Sequence, residues 1–104
     1  MASSREYLNY VLEQCPEGVT FRAMMGEYVL YNQGKVFGGI YDDRFLVKPT
    51  KSAIAMMSQA PMEIPYEGAK PMLLVDALDD RKFLAKLLQA MCPELPEKKQ
   101  AKKT

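Results

Sequence analysis

The sequence predicts a two-layer α+β domain, a curved antiparallel sheet with helices packed on it, in the order α-ββββ-α-β-α. Three observations carry this expectation. Short runs rich in Val, Tyr, Phe and Leu succeed one another from residue 20 to residue 48, separated by turns that hold Gly or Asp. Two apolar stripes of helical spacing lie near the two ends: Tyr7, Leu8, Val11, Leu12 and Cys15 at one, and Phe83, Leu84, Leu87, Leu88 and Met91 at the other. The chain has 104 residues, 48% of them apolar, which suits one domain around one core.

The first helix is expected to start at Ser3, with Glu6 three residues on completing a capping box, and Pro16-Glu17-Gly18 stops it. Thr20 to Met25 is the first strand, and Gly26 allows a bend into the second, Glu27 to Tyr31. Asn32-Gln33-Gly34 reads as a hairpin turn in which Gly34 supplies a positive φ. Lys35 to Tyr41 is the third strand, where Gly38-Gly39 marks a bulge or the close approach of another backbone. Asp42-Asp43 is a second tight turn. The fourth strand, Arg44 to Lys48, sends Phe45 and Val47 to one face and Arg44, Leu46 and Lys48 to the other, and Pro49 ends it. Met24, Met25, Phe45 and Val47 are assigned to the core.

Thr50 can cap a short helix to about Gln59, with Ala53, Ile54, Met57 and Ala60 on its apolar side. Pro61 and Pro65 interrupt regular structure after that helix, Tyr66 to Lys70 is a loop, and Met72 to Val75 is a short strand buried on both faces. Asp79 or Asp80 caps the last helix, which Pro93 and Pro96 end. The domain is therefore residues 1–92. Residues 93–104, with four lysines against two glutamates, are expected to be a disordered Lys-rich tail.

Histidine is absent, which removes Ser-His-Asp and Cys-His nucleophile chemistry and argues against most zinc and non-haem iron sites. A general base would have to be a carboxylate, Lys or Tyr, and no such set is recognisable. The expectation is a non-enzyme with no catalytic residue, no cofactor and no metal. Asp76, Asp79 and Asp80 lack the spacing of a calcium loop and read better as acids at a helix start. Gly38-Gly39 lacks the spacing of a phosphate loop. Cys15 and Cys92 read as two reduced thiols, and the eight Met as core filling or, where exposed, as a partner groove. With no apolar run of the roughly 18–20 residues that cross a bilayer and no signal-peptide pattern, the expected compartment is the cytoplasm, without membrane contact. The tail lysines offer nucleic acid only weak, salt-sensitive contact, and the remainder of the chain is nearly neutral.

Arg22, Glu27, Lys48, Tyr66, Glu67 and Lys70 are polar residues on or beside strands. If they converge at one end of the sheet, they form a polar cleft for a small molecule, and an Arg–Glu pair between neighbouring strands explains them equally well.

Three segments also carry a family resemblance. Arg22-Ala23-Met24-Met25-Gly26-Glu27-Tyr28, then Gly34-Lys35, then Gly39-Ile40-Tyr41-Asp42-Asp43-Arg44-Phe45-Leu46-Val47-Lys48-Pro49 together resemble the N-terminal domain of the TfoX/Sxy family, with its R-x-M-F-G motif, its G-K hairpin and its strand ending in L-K. Pro65-Tyr66 and the apolar Met72 to Val75 are similar to that family's second half, and Met25 stands where the family usually has Phe. The resemblance covers roughly residues 3–92 and implies an α+β domain without cofactor. Its founding members are bacterial regulators of natural competence that carry a second, C-terminal domain and act with transcription machinery. What it implies here is a stand-alone, non-catalytic regulatory or protein-binding module whose partner is transcription machinery or another regulator. Arg22, Gly26, Glu27, Lys48 and Tyr66 are then the candidate ligand or partner-binding residues. A monomer or a homodimer, paired through a strand edge or the Met-rich helix, fits this reading.

Overall fold

Ser4, rather than Ser3, starts the first helix. Its Oγ accepts from the Tyr7 N–H at 3.1 Å, so helix α1 (Arg5–Gln14) begins without the expected capping box. Ser3 lies outside the residues that this computed structural model describes, which are 4–24, 26–76 and 78–95. Four strands come next: β1 (Val19–Met24), β2 (Glu27–Asn32), β3 (Lys35–Ile40) and β4 (Phe45–Val47). Helix α2 (Lys51–Met56) takes its cap from Thr50 and stops short of Gln59. Then come β5 (Met62–Glu63), β6 (Met72–Leu74) and helix α3 (Arg81–Met91), capped by Asp80. All six strands form one antiparallel sheet in the order β1-β2-β3-β4-β6-β5. The α+β fold and its element order are as the sequence predicts, apart from β5. At two residues, β5 is too short for any periodicity to reveal.

The turns arise from local chemistry. Gln33 and Gly34 both have positive φ, 55° and 83°, the paired left-handed geometry that matches the twist of a two-residue hairpin. Asp42 and Asp43, at 54° and 56°, repeat it, and the Tyr41 and Arg44 backbones close that hairpin with two hydrogen bonds of 2.9 and 3.0 Å. The Asp43 carboxylate also accepts from the Ser4 N–H at 2.8 Å and ties the turn to the start of α1. The Gly38-Gly39 expectation holds on both counts. The register between β2 and β3 slips by one residue at Leu30/Tyr31. A Cβ on Gly38 would collide with the Leu46 carbonyl and lie 2.8 Å from the Val47 Cα.

One face of the sheet carries the main core. Leu8 and Val11 of α1, Ala53 of α2, and Leu84, Leu87, Leu88 and Met91 of α3 pack on Leu30, Phe37, Ile40, Phe45, Val47 and Leu73. All three helices therefore cover the same side. Two assignments to the apolar side need correction. Met24, expected inside, is 52% exposed, and Ile54 is exposed on α2. Met25 lies outside the described residues. Leu46, expected to face away from the core beside Arg44 and Lys48, does so but is fully buried.

The packed part reaches beyond residue 92. A short 3-10 turn spans Cys92–Glu94, and Leu95 is buried. The expected tail from 96 onward lies outside the described residues. The Glu94 carboxylate accepts from the Ser52 N–H at 2.9 Å and the Ser52 Oγ at 2.6 Å, joining this turn to the start of α2. These two bonds, the hydroxyl's first, hold the Glu94 carboxyl below its ordinary value of 4.5. A carboxylate depressed in the folded state adds stability that is complete above its ordinary value and fades as pH falls through the folded-state value. Glu94→Gln is therefore expected to flatten the acid limb of a pH–stability curve below pH 4.5 and to leave its shape above about pH 6 unchanged. Denaturant titrations at a series of pH values check this.

Candidate functional site

Pairing places residues on the helix-free face without ambiguity, because partners directly across a ladder share a face. Arg22 pairs with Val29, Val29 with Gly39, Gly39 with Leu46, and Leu46 with Leu74. Met24 pairs with Glu27 on that same side. Val29, Tyr41 and Leu46 are buried yet stand apart from the main core. The segment between β5 and β6 folds back over part of this face and stands opposite Val29 and Tyr41. The Tyr66 ring lies 5.8 Å from the Tyr41 ring, and Tyr41 in turn lies over Gly39, where a Cβ would come within 2.7 Å of its ring.

One side chain fastens that segment. The Arg44 guanidinium pairs with the Glu63 carboxylate at 2.7 Å and donates to the carbonyls of Ile64 at 3.3 Å and Pro65 at 3.4 Å. Its Nε donates to the Tyr41 carbonyl at 3.1 Å. Among the described residues this ion pair thus links the start of β4 to β5, two strands that β6 separates, rather than two neighbouring strands. Sequence reasoning passes over Arg44, because two of its acceptors are backbone carbonyls about twenty residues away, which no side-chain pattern announces.

Between the folded-back segment and the sheet lies a groove made of two hollows of about 520 and 490 Å³ that share Met24, Val29, Tyr41 and Tyr66. Pro65, Pro71 and Met72 extend its apolar wall, Glu27 stands at one end, and Lys48 and Lys70 line the other. Of the predicted site residues, Glu27, Lys48 and Tyr66 come together here. Arg22 does not. It lies in a separate shallow hollow with Thr20, Phe21, Tyr31 and Gly34. Gly26, at φ 87°, serves the β1–β2 turn. The expected polar cleft is thus a mainly apolar groove with charges at its ends.

The chemistry of the groove is that of contact rather than of proton transfer. The Glu27 carboxylate accepts from the Asp42 N–H at 3.1 Å and so braces the second hairpin. Burial first, then the nearby Tyr66 and Glu27, raises the Tyr41 phenol above its ordinary value, so it stays protonated at neutral pH. Burial pushes the Cys15 thiol, which lies on the helix side, up to about 11, far from a reactive thiolate. Among the described residues no group of three acids or cysteines stands close enough to hold a metal ion, and no helix is long and apolar enough to cross a membrane.

Comparison with known proteins adds to this geometry. The family model of the TfoX N-terminal domain matches residues 11–91. A protein of Spirochaeta aurantia, described as an uncharacterized 12.7 kDa protein in the trpE 5'region, is 31% identical over 105 residues, covering 98% of this chain and 91% of that relative. No solved structure matches the chain.

Proposed function

Because this chain belongs to the TfoX N-terminal domain family, we propose that it is a non-catalytic, protein-binding regulatory module that receives its partner on the helix-free face of the sheet. The observation that supports this reading is the groove itself. It is apolar, half-roofed, and carries large apolar side chains in the open: Met24 is 52% and Tyr66 60% exposed. Exposed Met and Tyr beside a hollow are the composition of a binding anchor rather than of an ordinary solvated surface. A component of the transcription machinery or another regulator is the partner that family membership brings into this proposal, and a role akin to competence regulation belongs to it as well.

A photo-crosslinking side chain at position 66 tests the proposal in a lysate of the native host. A protein adduct of defined mass is expected. Met24→Asp should reduce its yield about tenfold, the loss of one anchor contact, with a melting temperature close to that of the parent, because Met24 is exposed. An adduct indifferent to Met24→Asp, or no adduct at all, would count against the reading.

The volumes of the two hollows favour one alternative, a small-molecule site, since they fall within the range of about 300–1,000 Å³ typical of ligand pockets. That reading predicts a thermal shift with a metabolite library, worth about 2.7 kcal/mol for a ligand at about 100 times its dissociation constant, and abolished by filling the groove with Val29→Trp.

A further inference from the structure

The sheet ends at β5, two residues long, on one side and at β1, six residues long, on the other. A two-residue hairpin closes on a doubly hydrogen-bonded pair, here Met24 and Glu27, and bonded pairs alternate from there. Arg22–Val29 and Thr20–Tyr31 are therefore the next bonded pairs, and the Gln33 N–H to Gly18 carbonyl bond at 3.2 Å keeps the same phase. The N–H and C=O groups of Val19, Phe21 and Ala23 consequently point to the open edge, where they have no partner among the described residues. Natural edges are usually closed by Pro, by charged side chains (Lys above all), by a bulge or by a covering element. Strand β1 has no Pro, no Lys and no bulge, its one charge is Arg22, and four of its residues, Thr20, Arg22, Ala23 and Met24, are exposed.

Each face of this edge carries a cation. Arg22 stands on the groove side, and Arg5 of α1 lies 5.0 Å over the Phe21 ring on the helix side. Neither is in a salt bridge among the described residues. The strand ends at Met24, where the groove begins.

We propose that an extended acidic segment of a partner protein adds to β1 as a seventh strand. It pairs with the backbone of Val19, Phe21 and Ala23, presents carboxylates to Arg22 within the field of Arg5, and continues past Met24 toward the groove. This rests on the protein-binding reading above and names the partner's chemistry. A second copy of the chain is a poorer occupant, because a twofold axis at Phe21 would bring two Arg5 guanidinium groups together.

The test is an NMR titration of the isotope-labelled chain with the capped peptide Val-Glu-Val-Glu-Val-Glu-Val and with its Lys-for-Glu counterpart. The acidic peptide is expected to shift and protect the Val19, Phe21 and Ala23 amides and to bind less tightly as salt rises. Binding should weaken about tenfold for the Lys peptide and for Arg22→Glu, and by less for Arg22→Ala. Silence at β1 with the acidic peptide overturns the proposal, as does equal binding of the Lys peptide. Concentration-dependent shifts at β1 without peptide would hand the edge to a second copy and overturn it too. A position-66 adduct that persists while β1 stays silent would leave the protein-binding reading standing alone. Peptide binding at β1 with no adduct would do the reverse.

Discussion

Gly38→Val is expected to cost about 3 kcal/mol or more, enough to unfold a domain of this size at moderate temperature. The reason is backbone against backbone. The new Cβ would meet the Leu46 carbonyl and the Val47 Cα, which belong to the neighbouring strand and not to a side chain that can rotate away. Relief requires β3 and β4 to part, and their pairing at Gly38↔Val47 and Gly39↔Leu46 lies at the centre of the sheet. Gly34→Ala is the informative comparison. Nothing stands within 4 Å of a Cβ there, and only the positive φ of 83° is penalised, at about 1–2 kcal/mol. Urea unfolding of the two variants separates a packing requirement from a conformational one. A Gly38→Val variant as stable as Gly34→Ala would show that the two strands do not approach as described.

Leu46→Ala carries the second large effect, a loss of about 2–4 kcal/mol. Alternation along β4 alone puts Leu46 on the outer face, and an outer-face substitution usually changes stability by less than about 0.5 kcal/mol. The structure instead buries Leu46 completely, apart from the main core, on the helix-free face. Equilibrium denaturation measures the loss, and a change below about 0.5 kcal/mol would mean that Leu46 is not enclosed as described.

These two positions show how far the sequence carries. Turns are readable because their chemistry is local. Gly34 and the Asp42-Asp43 pair declare left-handed backbone, and Ser, Thr and Asp declare helix starts to within one residue. The helices are readable because Leu84, Leu87, Leu88 and Met91 repeat at helical spacing. Alternation also assigns Leu46 its correct face, but no periodicity says what will enclose it there, so its burial stays hidden. Met24 is misassigned for the converse reason: apolar composition suggests a core position, and only the open end of the sheet leaves it exposed. In the candidate site, Glu27, Lys48 and Tyr66 are legible from their places beside strands. Arg22 is grouped with them by the same logic, although β1 carries it to another hollow. Arg44 escapes because carbonyl acceptors leave no trace in side-chain patterns.

The Arg44 fastening pins one wall of the groove, and the Tyr41–Tyr66 ring contact holds the same segment beside it. Its ion pair is about one-third exposed and the remaining contacts are ordinary hydrogen bonds, so the pin holds with only about 1–2 kcal/mol. A guest bulky enough to need this wall moved has to break the Arg44 contacts and the ring contact together, and its apparent affinity is lowered by the fraction of molecules in which both are already broken.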